Sequence, residues 1–441
     1  MKKKLSLIWA AAIGIVLVIG SVVATLVISP LLTTSTNSNA AANGNAATNG
    51  SSGSGAIVIA WNKELLHIVL TPGAQPATVH PTRSYAILHA AIYDAVVSIT
   101  RDAPAYLFSV PAPSTARADA AAAQAGHDSL VALYPKWKAA LDQQLTSELA
   151  TIPGGAGKQQ GIQVGQAVAA RLLALRANDG SAATPPSYVP GNQPGNYLLT
   201  PPKFVAPVFT NWSNVTPFVL DNAAQFRPGP PPAVTSQAYV QALNEVKSLG
   251  QNTSTTRTPQ QTVIGKFWAG PIWNTWNEIA ENAALAHHTN LETTARLFSV
   301  LNLSFADSVI AFYDAKYHYQ LWRPVTAIRE ANTIGNPAIA GDPTWTPLVV
   351  TALDPDYPAA HAVISADAAS VLAAFFGNRD QIRATSDVLP GVVTNYTSYS
   401  DVATEAGLSR IYAGNHTRIA VDVGYTLGNS VAQFVISDLG V

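Results

Sequence analysis

Three short blocks in the last third of the chain combine residues that bind and transform oxyanions. They are Lys316-x6-Arg323-Pro324, Pro358-x2-His361 and Ser409-Arg410-x5-His416. An anion such as phosphate or vanadate needs charge-assisted donors on several of its oxygens, and Lys and Arg supply them. It also needs one histidine to bond the central atom and another to move protons at the opposite apex. The blocks therefore predict one oxyanion site.

The blocks resemble a known superfamily, the type 2 phosphatidic acid phosphatases and vanadium-dependent haloperoxidases. Its pattern is K-x6-R-P, then P-S-G-H, then S-R-x5-H-x3-D. The Trp322-Arg323-Pro324 step, followed by Arg329, is similar to the soluble haloperoxidase branch. The likeness extends from about Trp61 to the C-terminus, and three blocks in the same order are a specific signal.

The resemblance implies a role for each residue. Lys316, Arg323, Arg410 and the backbone at Ala360 would hold the oxyanion, which is vanadate as a cofactor or phosphate as part of a substrate. His416 would also hold the oxyanion, by bonding the vanadium of vanadate. His361 and His416 would be the catalytic residues, with His361 as the acid–base group.

The chain departs from the family pattern at three positions. Ala359 stands in place of the Ser whose hydroxyl bonds the oxyanion, and Ala360 in place of the Gly. Ala420 stands in place of the Asp that follows the apical histidine, and the next acidic residue is Asp422. The first exchange removes a ligand hydroxyl, and the last removes the carboxylate that would orient His416.

Periodicity predicts a long helix from Leu291 to about Leu321. Its apolar residues recur at steps of three and four, which marks one buried stripe, and Lys316 continues that stripe. A lysine on such a stripe either extends its ammonium to solvent or has an anion beside it. Because Arg323 follows on the same face, before the helix-ending Pro324, an anion shared by Lys316 and Arg323 is the better explanation.

The two histidines of the pattern lie at predicted helix starts. His361 precedes an Ala-rich helix that reaches about Phe376, and His416 opens the last helix. Backbone N–H groups at helix starts favour anions. Taken singly, each histidine is expected to be a capping or core residue. Asp354 and Asp356, with Arg329 and Arg418, are candidates for positions around the site.

Composition predicts an all-α fold, because Ala- and Leu-rich segments show little Val-Thr alternation. The resemblance makes this a helical bundle of the phosphatidic acid phosphatase/haloperoxidase type, with an internal duplication. Proline and aromatic residues dominate residues 185–232, which predicts long ordered Pro-rich loops. A net charge of −1, with 12% charged residues, argues against a nucleic-acid partner. The absence of cysteine excludes disulfides and thiolate metal sites.

The N-terminal segment predicts export. Three lysines precede an apolar run from Leu5 to Ile28, so residues 1–30 are a signal peptide or a signal anchor. Residues 31–55 form a flexible Ser/Asn/Ala/Gly tether. Residues 56–441 form the helical catalytic domain, with the site blocks in 316–422. The domain is expected to be extracytoplasmic, either secreted or anchored through residues 1–30, which would be its only membrane contact. Homo-oligomer formation stays open.

Three functions agree with these observations. The first is a vanadate-dependent haloperoxidase, with hydrogen peroxide and halide as its small-molecule partners. The second is an exported acid phosphatase that hydrolyses a phosphomonoester through a phosphohistidine, because vanadate imitates the geometry of phosphoryl transfer. The third is a catalytically impaired anion-binding surface protein, which Ala359 and Ala420 favour.

Overall fold

The computed structural model describes residues 54–441, and the regular structure in this part of the chain is mainly α-helical. The predicted residues 1–30 and the tether up to residue 53 lie outside the described part. The helices are α1 (Ala56–Leu70), α2 (Pro81–Thr100), α3 (Ala118–Leu133), α4 (Lys138–Thr151), α5 (Ala156–Arg176), α6 (Gln237–Gly250), α7 (Pro259–Phe267), α8 (Ile272–Ala286), α9 (Leu291–Tyr319), α10 (Pro324–Arg329), α11 (Ala360–Phe376), α12 (Tyr399–Tyr412) and α13 (Arg418–Asp438). The strands β1 (Arg379–Ala384) and β2 (Thr394–Ser398) form an antiparallel hairpin. The all-α prediction is confirmed.

Helix α9 is the central element of the fold. It begins where the Asn290 side chain accepts a hydrogen bond from the Thr293 N–H at 2.9 Å, a regular helix cap. It ends at Tyr319 because Gln320 adopts a left-handed backbone with φ 49°. The helix is therefore shorter than expected, and Pro324 does not end it. Pro324 instead opens α10, where a missing N–H costs no helical hydrogen bond.

Two described helices, α9 and α13, are long and apolar enough to cross a membrane by length and composition. The most apolar window of α9 is 94% buried inside the protein, and that of α13 is 44% buried. Packing in the core accounts for the hydrophobicity of α9. Length and hydropathy in one or two such helices are weak evidence for a membrane span.

Helices α2, α3 and α5 form one bundle, and α9, α11 and α13 form a second, with α2 and α9 packed against each other. The contact between α3 and α5 and the contact between α11 and α13 include equivalent backbone hydrogen bonds. At the start of α3, the Arg117 N–H donates to the Gly157 carbonyl oxygen at 2.9 Å. Just before α11, the Ala359 N–H donates to the Ala420 carbonyl oxygen, also at 2.9 Å. The duplication that the resemblance implied is therefore visible in the helix contacts.

Two glycines in each bundle allow the helix backbones to approach closely at these contacts. In α5, a Cβ on Gly161 would lie 2.2 Å from the Arg117 carbonyl oxygen. In α13, a Cβ on Gly424 would lie 2.8 Å from the Ala359 carbonyl oxygen. Gly165 and Gly428, one helical turn further on, are equally tight against α3 and α11. The backbones approach so closely that no side chain fits, and this fixes the start of α11 against α13.

The proline-rich region is an ordered loop system, as predicted. Between α5 and α6 the structure has one short 3₁₀ turn, Trp212–Asn214, and no α-helix. The loop is held against the ends of the site helices. The Tyr197 N–H donates to the Gln320 carbonyl oxygen at 2.7 Å, and the Val208 N–H to the Leu353 carbonyl oxygen at 2.9 Å. The loop therefore covers one side of the region where the site blocks meet.

Candidate active site

The predicted site residues lie at the ends of five helices. Lys316 lies in the last turn of α9, Arg323 just before α10, His361 in the first turn of α11, Arg410 in the last turn of α12 and His416 just before α13. Lys316, Arg323, Arg410 and His416 are at most 5% exposed, and His361 is half-buried. Buried charges are costly unless they have partners, so the partners of each group define what the site can do.

The carboxylate of Asp354 lies between the first two cations. Its Oδ1 accepts a hydrogen bond from the Lys316 ammonium at 2.9 Å and another from the Arg323 guanidinium. The Lys316 ammonium also donates to the Pro355 carbonyl oxygen at 2.5 Å. Burial lowers the pKa of Lys316 to about 8, although Asp354 opposes this. Burial alone would raise the pKa of Asp354, but the charges of Lys316 and Arg323 hold it below its usual value. The anion shared by Lys316 and Arg323 is thus an internal one.

The Arg323 guanidinium is almost fully engaged by the protein. Its Nε donates to the Asp354 carbonyl oxygen at 2.6 Å, and one terminal nitrogen donates to the Asn415 carbonyl oxygen at 2.8 Å. The same terminal nitrogen lies 2.9 Å from Nε2 of His416. A guanidinium has five N–H donors. Four have protein partners here, so one is left for a ligand.

The tautomer of His416 follows from its partners. Its Nδ1 lies 2.8 Å from the Asp356 carbonyl oxygen, which only accepts, so Nδ1 carries the proton. Its Nε2 faces a guanidinium N–H, which only donates, so Nε2 carries the lone pair. Burial, and next the charges of Arg323 and Lys316, hold the pKa of His416 well below its usual value. His416 is a neutral imidazole with its lone pair at Nε2.

Asp356 provides the carboxylate that the family pattern places at position 420. Its Oδ1 lies 2.7 Å from Nδ1 of His416, and its Oδ2 accepts from the Thr417 hydroxyl at 2.9 Å. The Nδ1 proton is directed to the Asp356 carbonyl, so this carboxylate acts on the ring through its charge. Burial raises the pKa of Asp356 to about 6. Asp422, the next acid in the sequence, is exposed and does not take this role.

Arg410 and His361 are held by backbone carbonyls. A terminal nitrogen of Arg410 donates to the Trp268 carbonyl oxygen at 3.0 Å. The Nε of Arg410 is buried and has no hydrogen-bond partner among residues 54–441. Burial, and next the charge of Arg323, lower the pKa of Arg410 to about 9. Among Lys316, Arg323 and Arg410, only Arg410 has a buried side-chain nitrogen with no hydrogen-bond partner in this part of the chain.

His361 lies beside Arg410, at the less buried end of the site. Its Nε2 donates to the Gly270 carbonyl oxygen at 3.2 Å, so Nδ1 carries the lone pair. Burial, and next the charge of Arg410, hold the pKa of His361 well below its usual value. A neutral imidazole in this position accepts a proton at Nδ1.

The site thus has two halves, which differ in what holds their side chains. The carboxylate half consists of Lys316, Arg323 and His416, held by Asp354 and Asp356. The carbonyl half consists of Arg410 and His361, held by the backbone of Trp268 and Gly270. Electrostatic influence connects the halves, because the pKa values of both histidines respond to Arg323 and Arg410.

In the loop before α11, the backbone N–H groups of Ala359 and Ala360 have different surroundings. Ala359 is fully buried, and its N–H is already bonded to the Ala420 carbonyl oxygen. Ala360 is the first residue of α11, where backbone N–H groups lack helical acceptors. The donor that this loop presents to an anion therefore belongs to the helix start at Ala360 and not to Ala359.

Other candidates from the sequence lie outside the site. Nε of Arg329 donates to the Trp345 carbonyl oxygen at 2.9 Å, and Arg418 pairs with Glu245. The role of the Trp268 and Gly270 carbonyls was missed. The only signal for them was a run of aromatic residues and glycine between α7 and α8, and such a run does not specify a pair of carbonyl acceptors.

Known proteins resemble this chain in the region of the candidate site. The model of the family "VCPO second helical-bundle domain" matches residues 296–439, which include every predicted site residue. The vanadium chloroperoxidase of Curvularia inaequalis is 25% identical over 408 residues, which cover 73% of this chain and 66% of that relative. The chain therefore spans about two thirds of the length of this curated relative.

Solved structures resemble the whole described fold. A bacterial vanadium-dependent iodoperoxidase has a TM-score of 0.77 at 25% identity, covering 87% of this chain and 96% of its own. A bacterial vanadium-dependent chloroperoxidase in its holo form has a TM-score of 0.64 at 15% identity, covering 85% of this chain and 97% of its own, and supports the fold alone. These findings confirm the resemblance seen in the sequence: the chain is similar to the haloperoxidase-like branch of the type 2 phosphatidic acid phosphatase and vanadium-dependent haloperoxidase superfamily.

Proposed function

We propose that this chain is a vanadate-dependent, haloperoxidase-like enzyme that oxidises halide with hydrogen peroxide. The observation that carries the proposal is the buried Arg410 Nε, which has no partner among residues 54–441. A buried guanidinium donor without an acceptor is expensive, and an oxyanion is the ligand that matches it. The named relatives, a chloroperoxidase and an iodoperoxidase, support the reaction class.

The residues present fit vanadate. Arg410 offers Nε and its remaining terminal N–H groups, while Lys316 and Arg323 each keep one N–H without a protein acceptor. Ala360 adds the positive end of the α11 dipole. His416 carries the Nε2 lone pair that a metal centre requires, and a bond to vanadium would replace the contact of Nε2 with the Arg323 guanidinium. Bound vanadate would supply Lewis-acid activation of hydrogen peroxide for attack by a halide.

The two histidines would have separate roles. The Asp356 carbonyl and carboxylate keep the Nδ1 proton of His416 in place, so that its Nε2 stays free of a proton. His361 is neutral and half-buried at the open end of the site, so it can take a proton from hydrogen peroxide at Nδ1. It would then return that proton to the leaving oxygen, as general acid–base catalysis requires.

A phosphatase is the second candidate, and the state of His416 favours it. A neutral imidazole with an available Nε2 is the form that attacks phosphorus, and His361 would then protonate the leaving alcohol. The third candidate, an anion-binding protein without turnover, is favoured by the Asp354 carboxylate, which already neutralises part of the site.

One set of assays separates the three candidates. Purified full-length protein should brominate or iodinate a test phenol with hydrogen peroxide, and the rate should rise when orthovanadate is added. Phosphate release from a generic monoester without halide oxidation would favour the phosphatase. Orthovanadate binding without either reaction would favour the impaired binder, and the absence of binding would refute the site.

The location of the enzyme remains a prediction from residues 1–30. We propose that the catalytic domain is extracytoplasmic, because three lysines precede the apolar run and a polar tether follows it. A reporter that is active only in the cytoplasm, fused after residue 55, should give no signal. A strong signal would show the opposite orientation.

A further inference from the structure

We propose that Asp354 is an internal counter-anion, which competes with the bound oxyanion for Lys316 and Arg323 and so sets the oxyanion affinity of the site. The inference rests on the proposed function, since it concerns the same oxyanion site. It adds a residue to which the family pattern, as matched here, gives no role. Asp354 is 7% exposed and lies on the loop between α10 and α11.

Donor counting is the first argument. Asp354 takes one N–H of Lys316 and two of Arg323, the second of these through its backbone oxygen. Lys316 has three N–H groups and Arg323 five, and their other protein contacts go to Pro355, Asn415 and His416. Each cation therefore has a single N–H left. Without the Asp354 carboxylate, each could offer two.

Charge is the second argument. The site contains three cations and the carboxylates of Asp354 and Asp356, while both histidines are neutral, so it has a net charge of about one positive unit. A buried carboxylate beside an incoming oxyanion repels it, because the low-polarity interior strengthens charge interactions. Asp354 therefore stabilises the site without a ligand and weakens binding when a ligand arrives.

The test is a calorimetric titration of full-length wild type and Asp354→Asn with orthovanadate and with inorganic phosphate. We expect Asp354→Asn to bind both anions about tenfold to a hundredfold more tightly, because a repelling charge is removed and a neutral amide oxygen competes less well than a carboxylate for the N–H groups of Lys316 and Arg323. Asp354→Glu keeps the charge and should show no such gain. Equal or weaker binding by Asp354→Asn would overturn the inference.

Asp314→Asn is the matched control. Asp314 lies on α9 two residues before Lys316 and pairs with Arg227 at 2.5 Å, so the variant also removes an ion-pairing carboxylate. We expect its anion affinity to stay at the wild-type value. A gain as large as that of Asp354→Asn would mean that overall charge, and not Asp354 itself, controls affinity, and would overturn the inference.

Folding provides a second readout. The Asp354→Asn variant leaves two buried cations without their carboxylate, so it should unfold at a lower temperature than wild type in anion-free buffer. Phosphate should raise its melting temperature more than that of wild type, because the added anion replaces the lost one. A variant that stays unfolded even with phosphate or vanadate contradicts the inference. If neither protein binds any oxyanion, the proposed function fails as well.

Discussion

The two halves of the site hold their cations in different ways. Lys316 and Arg323 in the carboxylate half share the Asp354 carboxylate, which stabilises both cations without a ligand. Arg410 in the carbonyl half has one backbone oxygen as acceptor and a buried Nε without one. The comparison shows that a buried cation motif is not by itself a binding site. We therefore expect the half that lacks its own anion to contribute most to binding an oxyanion.

The first prediction concerns the two histidines, which lie in different halves of the site and should have different roles. His416→Ala should abolish turnover, because the Nε2 lone pair in the carboxylate half is lost. His361→Ala should slow turnover about 10²–10⁴-fold, because general acid–base catalysis usually contributes a rate enhancement of this size. Its oxyanion affinity should stay close to that of wild type. Activity assays and orthovanadate titrations of both variants check this. Equal loss of vanadate affinity in the two would show that the roles are misassigned.

A control for His361→Ala comes from the first bundle. The N–H to carbonyl hydrogen bonds of Arg117 and Ala359 are equivalent in the two bundles. Asp119 follows Arg117 by two residues, as His361 follows Ala359, so Asp119 is the counterpart of His361 in α3. Asp119 pairs there with Arg117. Asp119→Ala should leave turnover unchanged. A loss comparable to that of His361→Ala would mean that helix packing, and not proton transfer, explains the effect.

The second prediction contrasts Arg410→Met with Lys316→Met. Arg410→Met should weaken orthovanadate binding by about a hundredfold or more, because it removes several charge-assisted hydrogen bonds. Its folding stability should stay the same or rise, since an unpaired buried cation is removed. Lys316→Met should instead lower the free energy of unfolding by about 3 kcal/mol, since breaking a buried ion pair costs about 3–5 kcal/mol and Arg323 still pairs with Asp354.

Calorimetry of Arg410→Met and Lys316→Met measures the vanadate affinity, and chemical denaturation measures the free energy of unfolding. The expected pattern is a loss of binding in the first variant and a loss of stability in the second. If Lys316→Met lost more vanadate affinity than Arg410→Met, the division between a structural and a binding half would be wrong.

Some of this architecture could be predicted from the sequence. The stripe on α9 places Lys316 in the core and shows that it needs an anion. It does not show that the anion is Asp354, because that contact depends on a loop folding back over 38 residues of chain. The end of α9 was missed because the left-handed Gln320 ends the helix before Pro324 is reached.

The carboxylate beside His416 could not be predicted, because the family pattern places this carboxylate at a different position in the sequence. The pattern places the carboxylate near His416 at position 420, where this chain has Ala420, and the structure supplies it from Asp356, 60 residues earlier. Two glycines four residues apart occur in both α5 and α13, and this spacing is only a weak sequence signal of the duplication. The helices against which they pack differ in side chains, so the repeat is visible only in backbone contacts.

A third prediction concerns Asp356. Asp356→Asn should lower turnover about tenfold, the low end of the usual 10–100-fold cost of removing a partner of a metal ligand. The loss should be modest because the Asp356 carbonyl still accepts the Nδ1 proton of His416. Nitrogen NMR of the His416 ring should show the same tautomer in wild type and variant. A changed tautomer would show that the carboxylate, and not the carbonyl, fixes it.

The smallest expected effect belongs to Ala359→Ser. A hydroxyl bonded to a charged oxyanion contributes about 1.5–3 kcal/mol, so vanadate binding should tighten roughly tenfold. Because Ala359 is fully buried beside α13, the hydroxyl must fit without moving the Ala420 contact. Vanadate titration measures the gain, and melting temperature reports any strain. An unchanged affinity would mean that this loop does not reach the anion.

A crystal structure of the full-length protein with orthovanadate tests the central claim most directly. The claim is that one oxyanion site connects the carbonyl half to His416. It predicts a bound anion within hydrogen-bonding distance of the Arg410 Nε and adjacent to Nε2 of His416, with His361 at the opposite side. An anion bound elsewhere, or one that contacts Lys316 and Arg323 but not Arg410, would contradict it.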